Sequence, residues 1–214
     1  MKKIISALLF ATLVLASGCS NYCQNDEIVS KGEKEYIKFS LNFMKIESLE
    51  GILGFYDYFV LCKVNSRGKS YLRSGEFDPS ETDKSITEQL MSIQTPYEIE
   101  VLEIYKCIQD DFEVGNTITA VAAHGEIANY IVDFGLPQLE IGEIYLLPLD
   151  HPYSNDEFGI VTSYSVKVSQ TSELSTDSSK AAELEPLMHT EPYKNFQTLQ
   201  DFEIKVAEIM NSSD

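Results

Sequence analysis

The residues of this chain that could do chemistry are four cysteines, three histidines and a large excess of acids. Cys19 follows Ala16-Ser17-Gly18. Small residues just ahead of a cysteine suit a signal peptidase that cuts before a cysteine destined for a lipid, so Cys19 is the candidate lipidation site. With Cys19 acylated, Cys23, Cys62 and Cys107 remain, and an odd number cannot all pair within one chain. A disulfide framework is therefore not expected, even in an oxidising compartment. His124, His151 and His189 stand 27 and 38 residues apart. No H-E-x-x-H, C-x-x-C or close histidine pair is present, so zinc chemistry has no support. His124, beside Gly125, is read as a turn residue. There is no G-x-S-x-G elbow and no phosphate-cradling glycine loop. Two acidic loops have oxygen ligands suited to calcium: Asp110, Asp111 and Glu113, and Asp150, Asn155, Asp156 and Glu157. Neither follows an EF-hand pattern. The sequence thus offers no catalytic residue, no cofactor and no metal site.

What precedes Cys19 agrees with export. Lys2 and Lys3 form a positive start, and Ile4 to Ala16 is an apolar stretch broken only by Ser6 and Thr12. That stretch is too short for a bilayer span, which needs about 20 apolar residues. The segment resembles a lipobox, with Ala16 where leucine is usual and Leu15 one place early. The alternative is ordinary secretion with a free Cys19. Several acyl chains on Cys19 would anchor the protein firmly, where a single chain is marginal. The expected location is the extracytoplasmic face of the cell membrane.

Charge narrows the partners. The 214 residues carry 16 basic and 34 acidic side chains. Residues 1–18 hold two of the basic residues and none of the acids, so their removal moves the net charge from −18 to −20. Such a surface repels nucleic acid and anionic lipid heads and tolerates cationic partners. Protein, peptide or glycan ligands remain, and nucleic acid does not.

The elements that must position any site read as follows. Residues 1–18 are the signal, and 19–35 are polar enough for a tether. Ile37, Phe39, Leu41 and Phe43 alternate with polar residues, which predicts a strand. Ser48 can cap a short helix over Leu49 to Phe55. Tyr58 to Val64 is a buried strand, and 65–80 a polar loop. Ser85 and Glu88 have capping-box spacing ahead of a helix face formed by Ile86, Leu90 and Ile93, and Thr95-Pro96 ends it. In Tyr97 to Cys107 the apolar phase slips by one at Leu102, the signature of a β-bulge. Strands follow at 117–123, 143–149 and 158–168, with Pro148 expected at a strand edge or end. Residues 126–138 are ambiguous. Tyr56, Tyr58, Tyr97, Tyr105 and Tyr164 belong to the core or the barrel face, where a subset could stack on a sugar. Residues 169–197 form a polar linker, rich in Ser and Thr at 169–179. Thr198 caps a final helix, residues 198–214, with Leu199, Phe202, Val206 and Ile209 as its apolar stripe.

Five strands suggest a small closed barrel, and several segments carry a resemblance. Leu49-Glu50, through Asp57 into Tyr58 to Val64, resembles the opening of uncharacterised lipoproteins of Gram-positive bacteria, where a short helix precedes a V-x-G-K-V type of strand. Tyr97 to Lys106 is similar to their Y-x-V-x-V-L-x-x-Y-K-G strand, Gly115-Asn116-Thr117-Ile118 to their G-D-x-I turn, and Leu139 to Leu149 to their L-x-x-G-x-x-Y-L-L-F-L element. Cys107 replaces a glycine of that pattern, and His124-Gly125 a glycine pair. The resemblance covers residues 48–168 and implies a netrin-like or TIMP-like domain, a five-stranded OB-like barrel, here 36–168 with short helices. In inhibitors of that fold a free N-terminal cysteine chelates a protease zinc. Cys19 is acylated and tethered in this reading, so that activity does not transfer. If the strands of Cys62 and Cys107 are neighbours, the two could approach the ~4.4–6.8 Å Cα separation of a disulfide; against it, glycine holds the second position in the look-alikes and free buried cysteines are common.

These readings favour a lipid-anchored, non-catalytic binding module, with the loops at 65–80 and 108–116 as its candidate surface. The alternative is an extracytoplasmic enzyme or enzyme inhibitor, which a cleft of convergent, perturbed acids would favour.

Overall fold

The computed structural model describes residues 23–31, 34–41, 45–80, 82–109, 111–150, 157–169 and 182–212. The protein is mainly β, with peripheral helices and a C-terminal helix. Its described residues divide into two compact units, each drawn from separated segments: those within 23–45, 69–95 and 123–136 in one, and those within 46–68, 96–122 and 137–212 in the other.

The first unit is a four-stranded sheet with strand order β1 (Cys23–Lys31), β2 (Lys34–Leu41), β8 (Tyr130–Asp133) and β7 (Gly125–Ile127). β1 lies within the segment expected as a tether. It pairs antiparallel with β2, and a backbone ladder of this kind needs no apolar side chains. β2 runs parallel to β8, and β7 and β8 form the hairpin that residues 126–138 left ambiguous, with Ala128 at φ +50° in its turn. Alternation in β2 sends Ile37 and Phe39 into a core with Leu72, Leu90, Ile93, Val132 and Phe134. Helix α2 (Asp83–Leu90) is capped by Thr82, whose Oγ1 accepts from the Ser85 N–H, and not by Ser85. Ile93 is not helical: the helix closes at Met91, and Ile93 pairs with Leu72 of β4 (Tyr71–Leu72) inside the expected 65–80 loop. Gly125, at φ +154°, sits where a Cβ would lie 2.7 Å from both Ser70 Cβ and Thr95 Oγ1.

In the second unit, α1 (Leu49–Phe55) starts as the sequence predicts, with Ser48 Oγ accepting from Gly51 N at 3.0 Å. The sheet order is β10 (Phe158–Ile160), β6 (Thr117–Ala122), β5 (Ile93–Cys107), β3 (Tyr58–Arg67), β9 (Ile144–Asp150), β11 (Val166–Ser169) and β12 (Glu183–Pro186). β10 also pairs with β9, antiparallel, while its pairing with β6 is parallel. The apolar run of β3 is buried on both faces. Tyr58, Val60, Cys62 and Val64 enter one core with Tyr97, Ile99, Val101, Leu147 and Leu149; Phe59 and Leu61 enter another with α1 and α3 (Leu199–Ser212).

The expected phase slip in β5 is present. Opposite β3 the register jumps from Leu61↔Glu103 to Cys62↔Val101, leaving Leu102 extra, and again from Phe59↔Lys106 to Val60↔Ile104, leaving Tyr105 extra. These bulges turn Leu102 and Tyr105 toward the core beneath α3 while Val101 and Ile104 stay with the other. The predicted strand at 158–168 is broken by a 3-10 turn at Thr162–Tyr164, which frees β10 to reach β6 while β11 stays on β9. Pro148 is interior to β9 rather than at its end. It falls where the ladder on that side is interrupted, between the β11 pairs at 144–146 and the β10 pairs at 149–150, so its missing N–H costs no ladder bond. Of the expected linker, residues 170–181 lie outside the described residues. Residues 182–197 are instead built into the unit, as β12 against β11 and a 3-10 turn at Glu191–Tyr193 with Tyr193 buried, its hydroxyl donating to Tyr164 O at 2.6 Å.

Thr198 caps α3 as predicted. Its Oγ1 accepts from Asp201 N, and the Asp201 carboxylate accepts from Thr198 N and Oγ1. Leu199, Phe202 and Val206 are buried, with Ile209 partly so; Phe202 stacks on Phe59 at 5.6 Å. Among the described residues no helix is long and apolar enough to cross a membrane.

Candidate functional site

Cys19 lies outside the described residues. Cys62 and Cys107 do not pair. β3 and β5 are neighbours, yet the register sets Cys62 opposite Val101 and Cys107 opposite Tyr58, and both cysteines are free. Burial pushes the Cys62 thiol far up from its ordinary range.

The loop between β5 and β6 is held by its own backbone and by the side chains of Asp111, Phe112 and Asn116. Gly115 N donates to Val101 O at 2.7 Å and Val101 N to Asn116 O at 2.9 Å. Asn116 Oδ1 accepts from Glu113 N at 2.9 Å, and Glu113 O from Asn116 N at 3.0 Å. Gly115 takes φ +87°, which favours glycine. Phe112 is buried between Tyr58 and Phe158, with ring centroids 5.6 and 5.2 Å away. Beside it, the Tyr58 hydroxyl donates to Asp111. Burial first, and the Asp111 hydrogen bond second, drive the Tyr58 hydroxyl well above its ordinary range, so it stays a donor. On this fixed base Ile108 is 51% and Val114 60% exposed, and Gln109, Asp111 and Glu113 are exposed with them. A loop that presents apolar side chains beside acids is suited to recognition.

The loop expected over 65–80 is mostly exposed but partly strand. Residues 65–67 complete β3, where the Arg67 guanidinium lies 5.9 Å from the Tyr97 ring centroid and donates to Gln138 Oε1 at 3.2 Å. Residues 71–72 form β4.

The tyrosines singled out for sugar stacking are mostly inside. Tyr56, Tyr58, Tyr97 and Tyr164 are buried, and half-buried Tyr105 has its ring against Phe202 at 5.3 Å. His124 is buried, its carbonyl accepting from Thr95 Oγ1 at 2.5 Å; the His189 ring lies 4.7 Å from that of Tyr164. His151, Asp110, Asn155 and Asp156 lie outside the described residues. Asp111 is engaged by Tyr58. Asp150 is half-buried, and burial, then the charge of Asp57, holds its carboxyl above the ordinary range. Among the described residues no group of three or more His, Cys, Asp or Glu is placed to hold a metal ion.

Sequence reasoning missed one convergence. Tyr105 Oη lies 3.1 Å from Glu203 Oε1 on α3 and 3.4 Å from Glu103 Oε2 on β5. Glu103 and Glu203 are 100 positions apart, so no local spacing announces the pair. Lys106, next along β5, donates from Nζ to Leu53 O and Tyr56 O, 2.6 Å each, and so closes the C-terminus of α1.

No family model matches the sequence, and no curated protein does.

Proposed function

We propose that the protein is an exported lipoprotein, anchored through Cys19 on the extracytoplasmic face of a membrane, that acts as a non-catalytic binding module. Its partner is a cationic peptide or a basic patch on a protein, taken up by the β5–β6 loop. The observation that carries the reading is that loop: exposed Ile108 and Val114, flanked by Asp111 and Glu113, on a base fixed by Phe112 and the Tyr58–Asp111 bond. Apolar contact gives such a site its affinity, and the acids select the sign of the partner. Burial of four of the five tyrosines that were candidates for sugar stacking weighs against a glycan.

The finer fold belongs to the same proposal. An OB-like barrel of netrin type is supported by the pairing circuit β3–β5–β6–β10–β9 and back to β3, in which only β6 and β10 run parallel, around apolar side chains that fill the interior. Kinship with the Gram-positive lipoproteins rests on the strand motifs.

The enzyme reading draws on Glu103 and Glu203. Tyr105 Oη lies within hydrogen-bond reach of both carboxylates, the place a substrate atom would need, so the pair fits a structural use better.

A photo-crosslinking residue at position 114, compared with one at equally exposed position 141 on intact cells, tests the site. A discrete protein adduct from 114 and not from 141 is expected. No adduct, or the same adducts from both positions, would overturn the assignment. Cys19→Ser tests the anchor separately: the protein should leave the membrane fraction or remain unprocessed, and unchanged retention refutes it.

A further inference from the structure

We propose that Glu103, Tyr105 and Glu203 form a proton-operated latch that holds the C-terminal helix α3 against strand β5, closed when Glu103 carries a proton and loosened when it loses it.

The geometry makes the hydroxyl a shared resource. A tyrosine hydroxyl carries one proton, yet two carboxylate oxygens lie at 3.1 and 3.4 Å from Tyr105 Oη. When both glutamates are ionised, Tyr105 can donate to only one of them, and the other carboxylate faces oxygen lone pairs and a like charge. A proton on Glu103 resolves the conflict. The Glu103 O–H donates to Tyr105 Oη, the Tyr105 O–H donates to the Glu203 carboxylate, and each polar group in the chain then has a partner.

Glu103 is exposed, so water rather than a paired cation is what relieves the second negative charge. On α3 the nearest cation in sequence is Lys205, whose Nζ lies 3.3 Å from Glu208 and 3.8 Å from Glu50 of α1. On β5 Lys106 is turned to the carbonyls of α1. The β3 residue opposite Glu103 is Leu61. Beneath the polar groups the contact is aromatic: Tyr105 and Phe59 both meet Phe202, which is fully buried, and Phe196 closes against it at 6.0 Å. The latch therefore sits at the rim of the apolar contact that docks α3, and the two charges act across the joint between helix and strand.

The direction of the pH effect follows. Burial first, and then the charge of Glu203, raises the Glu103 carboxyl above its ordinary 4.5, against the opposing Tyr105 hydrogen bond. A carboxyl raised in the docked state stabilises docking when protonated. That contribution is complete below 4.5 and is lost as the pH rises through the raised value. Burial first, then the charges of Glu103 and Glu203 and the hydrogen bonds to them, push the Tyr105 hydroxyl far above its ordinary 10, so the phenol keeps its proton throughout.

Hydrogen exchange on the full chain tests the latch. Protection of the α3 amides, corrected for intrinsic exchange, is followed from about pH 4 to about pH 8 with the amides of β3 as internal reference. In the wild type, α3 protection should fall severalfold across that range while β3 holds steady. Glu103→Gln keeps a donor beside Tyr105 and removes the charge. It should leave α3 at neutral pH as protected as the wild type in acid, with no slope. The proposal is overturned by a flat wild-type profile, by β3 falling in parallel, by Glu103→Gln keeping the slope, or by that variant weakening α3 at neutral pH, as a merely structural glutamate would.

Discussion

Lys106→Met asks whether one ammonium fixes helix α1 to the sheet. Methionine keeps much of the aliphatic stem and removes the charge and both donors. Two hydrogen bonds from a cation, 2.6 Å each, end on the carbonyls of Leu53 and Tyr56 at the close of α1, where helix carbonyls lack intrahelical partners. Hydrogen bonds to charged groups are worth about 1.5–3 kcal/mol each, and a cation at a helix C-terminus about 0.3–1 kcal/mol. The freed carbonyls regain water at this half-buried position, so the total falls short of the sum, at about 2–3 kcal/mol. For a chain of this size, that lowers Tm by roughly 5–10 °C. Urea unfolding and thermal melts measure it, with Lys63→Met as control: Lys63 is exposed on β3, and its loss should change stability by less than about 0.5 kcal/mol. Because the acceptors are backbone carbonyls at the helix end rather than surface carboxylates, the loss should persist at about 1 M salt, where surface ion pairs are screened. A loss no larger than the control's, or one that disappears in salt, refutes the reasoning.

Gly125→Ala should destabilise by about 2–4 kcal/mol, since its Cβ meets Ser70 and Thr95 at a φ that L-residues avoid; a melt within a degree of wild type would show that the site relaxes freely. Native alkylation followed by mass measurement should modify Cys107 and spare Cys62 until the protein unfolds, because Cys62 is fully buried and its thiolate disfavoured. A Cys62–Cys107 bond in the unreduced protein would contradict the register of β3 and β5.

What the sequence determined by itself is local. Ser48 before α1 and Thr198 before α3 were legible because a cap bonds within three residues. The strands around Tyr58, Tyr97, Thr117 and Ile144 follow from alternation or apolar runs, and the Leu102 bulge from a slip in that alternation. The candidate loop was legible as Asp110-Asp111 and Gly115-Asn116 between two strands. That Phe112 turns inward while Ile108 and Val114 turn out was not, because all three are apolar and only packing against Tyr58 and Phe158 sorts them. Tertiary structure alone decided the rest. Thr82 rather than Ser85 caps α2, and beyond the other end of that helix Ile93 pairs with Leu72, where strand pairing overrode the helical spacing. β1 and β12 lie in segments whose composition reads as tether and linker, since a ladder joins backbone groups that every residue carries. The register that parts Cys62 from Cys107, and the bulge at Tyr105 that brings Glu103 and Glu203 to one hydroxyl, depend on how two strands and a distant helix pack. Side-chain periodicity tells a residue which face it takes, and only the packed partner tells it whom it meets.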